Sequence, residues 1–376
     1  RGRHFQMDQM FPALRRHGSY ELSELHELDP TLLCGISGGE IPRSDARRWA
    51  FLDTETTGLA GGSGTCAFLI GLGSIEDEGF RVRQYFLRDF DEEASALEGL
   101  RKDLERFDVL VTFNGRTFDQ PLLETRYTMN RARHPFSRME HLDLLHGARR
   151  LFKLRLENCR LVNLEQEILG FERQGDVAGE LIPHLWFEYL RTRRAGRLAA
   201  VFEHNAYDIV SLACLTGIVP EAFRDPFNTR ARHGTDLLGL ARWLAMSDRI
   251  EESLALTRRA VDLGLPDQHL FRALFDAGLM EKKLGLETAS LATFTDLTLA
   301  RNPFRVKAYE EIAKYYEHRE RNFTMALECV HAARAIQDSP ALEARESRLR
   351  ARTERTAKQL RLAKVRRRTR ILPVSG

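Results

Sequence analysis

At 376 residues the chain is too long for a single minimal module, and a norm of roughly 100 to 200 residues per domain points to two or three domains. Hydrophobic residues at 43% and charged residues at 30% are a globular balance that excludes disorder throughout, and no uninterrupted apolar run approaches the ~20 residues of a membrane-spanning helix. The net charge of +3 hides an asymmetry, because residues 341–376 carry twelve Lys or Arg against three Glu while the rest of the chain is acidic.

Residues 1–48 form an N-terminal extension of mixed character, with short helices expected at Met7 to His17 and Ser19 to Leu28. WAFLD, residues 49–53, reads as a buried strand, followed by CAFLIGLG at 66–73 and RVRQYFL at 81–87. Three strands joined by short turns predict an antiparallel meander. A helical period over 91–106 leads into the strand DVLVTF at 108–113, the helix FDQPLLETRYTM and a further strand, HLDLL, at 141–145. Beyond it the pattern is helical through about Val219. The sum is a mixed α/β sheet flanked by helices over 49–225, followed by an all-α helical-repeat domain over 235–340. There Pro266, Pro303 and Pro340 recur at a 37-residue interval, each after an amphipathic stretch. This resembles a tetratricopeptide-like array of stacked helix pairs, whose surface would dock a partner or guide a substrate, the alternative being an ordinary helical domain with accidental spacing. The last segment, 341–376, is a basic helix or tail able to pair with phosphate backbones.

Cys34, Cys66, Cys159, Cys214 and Cys329 are odd in number and lack CxxC spacing, which fits packing thiols rather than disulfides or a zinc site. The opening RGRHFQMDQM lacks the apolar stretch of a secretory signal. A cytoplasmic location is expected.

Three segments carry chemistry. In FLDTETTGL, residues 51–59, Asp53 and Glu55 are two apart, so a strand presents both carboxylates on one face. Like charges held that close repel unless a cation neutralises them, and Mg²⁺ or Mn²⁺ with oxygen ligands would do so. In TFNGRTFDQPLL, Asp119 stands at a helix start, where it either caps the helix or serves as a ligand, and Asn114 with Gly115 forms the preceding turn. In EHNAYDIVSLACL, residues 203–215, His204 and Asp208 are four apart and share one helical face. Alone, such a pair is more often a helix-stabilising contact.

Together DTETTGL, NGRTFD and HNAYDIVSL resemble the DEDD 3′ to 5′ exonuclease superfamily of ribonuclease-H-like folds, and within it the YprB-type family, over about residues 49–219. The resemblance implies that Asp53, Glu55, Asp119 and Asp208 bind two divalent cations, Mg²⁺ or Mn²⁺, and that His204 is the general base. It further implies that backbone around Thr54, Thr56 and Thr57 holds the terminal sugar and that Leu59 wedges against the final base. Asn114 is a candidate substrate donor, and Phe118 a candidate stacking platform or core residue. Asp143 and Asp176 are candidates for supporting the metal site, or turn and cap residues, and Lys153, Arg155 and Arg173 for binding phosphate. One spacing departs from the pattern: histidine-type members separate the base from the last Asp by four residues, whereas three lie between His204 and Asp208. The tyrosine-type arrangement, with its three-residue gap, would need an acid where Ser211 follows Tyr207.

The expected activity is therefore metal-dependent 3′ to 5′ exonucleolytic hydrolysis of single-stranded or 3′-ended DNA in repair or maintenance, with a helicase partner implied by the resemblance. An RNA-trimming exoribonuclease uses the same acids. A catalytically silent scaffold built on the repeats is the reading from another class.

Overall fold

Short apolar runs bounded by Gly and polar turns become the strands of one mixed six-stranded sheet. The computed structural model describes residues 3–58 and 64–369. In chain order the strands are β1 (Phe5–Pro12), β2 (Trp49–Thr56), β3 (Ala67–Glu76), β4 (Gly79–Phe86), β5 (Val109–Thr112) and β6 (Glu140–Asp143). They lie in the order β1-β4-β3-β2-β5-β6. The first four pair antiparallel, and β5 and β6 continue the sheet parallel to β2. The sheet belongs to the first of two units into which the chain divides, Arg1–Arg232 and His233–Gly376.

The helix expected over Met7 to His17 is instead the edge strand β1, paired from Phe5↔Phe86 to Pro12↔Gly79. Its inward positions, Met7, Gln9 and Phe11, alternate with exposed Gln6, Asp8 and Met10, a period of two diluted by polar residues that face water on an edge. Pro12 is tolerated there because its missing N–H sits at a strand end. Ser19 to Leu28 is also not one helix, since Tyr20–Glu21 joins a two-residue hairpin and only Leu22–Glu27 coils, as a 3₁₀ turn.

Helices cover both faces of the sheet. On the side of Ala50 and Leu52 pack α1 (Glu93–Leu104), α2 (Asp119–Met129) and, after α3 (Leu144–Phe152), α4 (Ile182–Thr192). Here Trp186 stacks on Phe68 at 4.9 Å between centroids and donates its indole N–H to the Leu87 carbonyl at 2.8 Å. The face bearing Asp53 and Glu55 meets the 27-residue α5 (Leu198–Arg224). Gly71 and Gly73 of β3 permit that approach: a Cβ on Gly71 would lie 2.2 Å from Ile209 Cδ1 and 2.3 Å from Asn205 Oδ1. α5 is long and apolar enough to cross a membrane, yet 83% of its most apolar window is buried inside the domain, as in a core helix.

The second unit is all helix: α6 (Gly234–Met246), α7 (Ile250–Asp262), α8 (Asp267–Lys283), α9 (Glu287–Leu299), α10 (Arg305–His318), α11 (Phe323–Ile336) and α12 (Pro340–Thr369). Each packs on the next. Pro266, Pro303 and Pro340 fall at or just before the starts of α8, α10 and α12, where a missing N–H costs least. Small residues such as Ala273, Ala277, Ala308, Ala313 and Ala326 bring the helices together.

Candidate metal centre

The site starts where β2 leaves the sheet. Asp53 lies opposite Gly71 in the ladder with β3, and the register shifts between Glu55 and Thr56, so the strand bends away just after the two carboxylates. Beyond the bend the Thr57 N–H donates to the Cys66 carbonyl and its hydroxyl accepts from the Cys66 N–H, both at 3.0 Å, which closes the base of the following loop. The Thr56 hydroxyl donates to the Gly58 carbonyl at 3.0 Å. Leu59 lies outside the described residues.

α5 brings the second set. One ligand atom from each of Glu55, His204 and Asp208 lies within 4.8 Å of the others, although the chain separates them by about 150 residues. His204 Nε2 is 3.5 Å from Asp208 Oδ2. One position along, Asn205 donates to Asp53 Oδ2 at 2.9 Å, and its own carbonyl accepts from Gln84 Nε2 at 2.9 Å. That bond fixes which end of the amide faces Asp53. Neither Asn205 nor Gln84 was a sequence candidate. The available signal was GLG in an apolar strand, since glycine there marks close approach of another element.

Asp119 reaches the site from α2. It occupies the first helical turn, with Phe118 at the cap position, and its carboxylate accepts from the Thr54 hydroxyl at 2.6 Å. Asp53 and Asp119 open into a cleft of about 590 Å³ that is also lined by Thr54, Thr56, Asn114 and Phe118. Asn114 adopts φ +69°, and Asp143 holds that turn by accepting from the N–H groups of Asn114 at 2.8 Å and Arg116 at 3.2 Å. The same carboxylate caps α3 through Leu145. Asp143 is thus a turn and cap residue behind the cleft.

Crowding these acids shifts their protonation. Burial, reinforced by Asp208, Glu55 and Asp119, holds the Asp53 carboxyl well above its usual range. Burial and Asp208 push Glu55 up to about 8, and burial raises Asp119 to about 6 despite the Thr54 hydrogen bond. For His204, burial favours the neutral ring, but Asp208, Glu55 and Asp176 outweigh it and the net shift is upward. Negative charge is therefore in excess, and its donors are carboxylate oxygens and one imidazole. That donor chemistry suits Mg²⁺ or Mn²⁺. Arg173 does not face solvent for phosphate: its side chain is 4% exposed and paired with Glu165, Asp176 and Asp208. Arg155 pairs with Glu167 at 3.0 Å.

A mixed sheet with antiparallel strands leading into parallel ones, and acids gathered at the end of its central strand, defines a ribonuclease-H-like domain. Residues 50–219 match the family model for the RNase_H superfamily. The chain belongs to that superfamily and, within it, to the family of a Bacillus subtilis (strain 168) protein described as Uncharacterized protein YprB. It is 30% identical to that relative over 343 residues, 90% of this chain and 81% of the other. Its first unit is accordingly nuclease-like, with nucleic acid as the implied substrate class.

Proposed function

We propose that the protein is a metal-dependent 3′ to 5′ exonuclease that hydrolyses DNA phosphodiester bonds, with Asp53, Glu55, Asp119 and Asp208 holding two Mg²⁺ or Mn²⁺ and His204 as general base. The observation that carries the reading is the meeting of Glu55, His204 and Asp208 within 4.8 Å, beside an Asp53 whose carboxyl is held well above its normal range by burial and by Asp208, Glu55 and Asp119. Bound cations would offset charge on the attacking and leaving oxygens of an in-line displacement. The chain's own groups do the rest. His204 Nε2, on the side of Glu55 and Asp208, takes the proton of the attacking water. Asn205 keeps Asp53 oriented. Thr54, Thr56 and Thr57 supply backbone to the terminal sugar, Asn114 a polar contact, and Phe118, 53% exposed, a stacking face worth ~1 to 3 kcal/mol per base. DNA as substrate, the 3′ to 5′ direction, a role in repair or maintenance and a helicase partner rest on the family resemblance, whereas a partner docked on the tetratricopeptide-like repeats rests on the repeat pattern and a cytoplasmic location on the sequence composition.

The test is digestion of matched DNA and RNA strands, labelled at either end, with Mg²⁺ or Mn²⁺. Shortening of DNA from the 3′ end, lost in Asp53→Ala, is expected. Shortening from the 5′ end, RNA as the sole substrate, or activity unaffected by Asp53→Ala would overturn the reading.

A further inference from the structure

We infer that Asp176 and Arg173, from the irregular segment between Gly170 and α4, are positioning residues that fix His204 and Asp208 for the proposed reaction. The inference rests on the exonuclease reading only for what the two groups are positioned to do. Glu165 is fully buried and takes the Arg173 guanidinium through Nε at 2.7 Å and through Nη2. Nη2 also donates to Asp208 Oδ1, and Nη1 lies 3.3 Å from Asp176 Oδ2. A buried guanidinium is costly unless its donors are engaged, and this one is held between three carboxylates. The arrangement commits one oxygen of Asp208 to Arg173 and leaves Oδ2 on the side of His204.

Asp176 completes the support. Its Oδ1 lies 2.8 Å from His204 Nδ1. A carboxylate only accepts, so the proton between them sits on Nδ1. The 3.3 Å contact of Arg173 Nη1 with the same nitrogen then joins two proton-bearing atoms and is not a hydrogen bond. In the neutral ring Nε2 then keeps its lone pair, on the side of Asp208. A carboxylate behind an imidazole sets tautomer and ring orientation in the same way in metal sites and catalytic triads. Here it gives a firm orientation to a histidine that shares its helical face with Asp208, only three residues intervening.

The test reads the two residues separately in the full chain. Nitrogen-15 NMR of metal-free protein at pH 9, with His204→Gln locating the resonance, is expected to show His204 protonated at Nδ1. Asp176→Asn, whose amide can donate, should populate the other tautomer and lower kcat ~10 to 100-fold with Mn²⁺ affinity unchanged. Arg173→Lys keeps a cation against Glu165 but loses the fork, and it should weaken Mn²⁺ binding by calorimetry ~10 to 100-fold with the tautomer unchanged. An Nε2-protonated ring in the unsubstituted protein overturns the inference. So does an Asp176→Asn protein with the original tautomer, or an Arg173→Lys protein with the original Mn²⁺ affinity. A chain that cleaves no strand would end the exonuclease reading, while the tautomer and the Mn²⁺ affinity would still decide this one.

Discussion

Glu55 shows at a single residue how crowding carboxyl groups together lowers stability. Its carboxyl is pushed up to about 8 in the folded chain by burial and by Asp208, against about 4.3 for an unperturbed glutamate. Between those values the unfolded state has released a proton that the folded state retains, so the unfolded state gains with each step in pH. The contribution is full below the unfolded pKa and lost as pH rises through the folded one. Metal-free protein should therefore melt at progressively lower temperature from pH 5 to pH 8, and Mn²⁺ should raise its melting temperature more at pH 8 than at pH 5. Glu55→Gln should flatten that slope, stabilise the metal-free chain at pH 8 and abolish most of the Mn²⁺-induced shift. Thermal melts at the two pH values, with and without Mn²⁺, check all three. An unchanged slope in Glu55→Gln would show that the residue does not carry the repulsion. The carboxylate pair itself was legible, because a two-residue spacing in a strand fixes a common face. Asn205 was not, since its meaning lies in Asp53, 152 residues away, and one sequence holds no trace of which distant pair will meet. Arg173 was misplaced as a phosphate candidate for the same reason, its burial being a property of the assembled domain.

At the scale of elements, the centre depends on how closely α5 lies on β3. Gly71→Ala places a methyl 2.2 Å from Ile209 Cδ1 and 2.3 Å from Asn205 Oδ1, and relieving that overlap by moving the helix displaces His204 and Asp208 as well as Asn205. Overpacking of this kind costs about 1 to 3 kcal/mol. Chemical denaturation should report that loss, and Mn²⁺ affinity should fall with it; a stable Gly71→Ala protein with unaltered affinity would show that the helix height is not what sets the site. The loop between β5 and α2 has its own pin. Asp143→Ala leaves the N–H groups of Asn114, Arg116 and Leu145 without their carboxylate, and about 1 to 3 kcal/mol is expected from the buried Leu145 N–H left unpaired. Denaturation midpoints within error of the parent would exclude that role. The three strands of the meander and the two parallel ones were readable because each is an apolar run with Gly or polar residues at its ends. β1 was not, because an edge strand facing water on one side carries Gln and Asp where a central strand carries Val and Leu. HLDLL was read as strand throughout, but the carboxylate of Asp143 caps α3 and ends β6 in its middle.

On the scale of the whole molecule, charge is distributed as two opposed parts, nine excess positive charges in residues 341–376 and a net acidic remainder. α12 packs through Leu342 and Leu349, and Glu317 accepts from Arg348 and Arg352. From Glu354 to Gln359 every residue is exposed. Beyond that point the sequence places Arg361, Lys364 and Arg368 at spacings of three and four. A nucleic-acid strand would neutralise this charge. The association must also release counterions, ~0.7 per phosphate contact for single strands. Replacing Arg366, Arg367 and Arg368 by Gln should then lower the slope of log affinity against log salt by up to ~2, since three contacts are removed. Affinity should fall most at low salt, and Mn²⁺ binding, which depends on side chains of the first unit, should stay as it was. Fluorescence anisotropy with a labelled oligonucleotide at several salt concentrations measures the slope. If it is identical in the two proteins, Arg366, Arg367 and Arg368 do not touch the strand, and its phosphate contacts come from other groups of the chain.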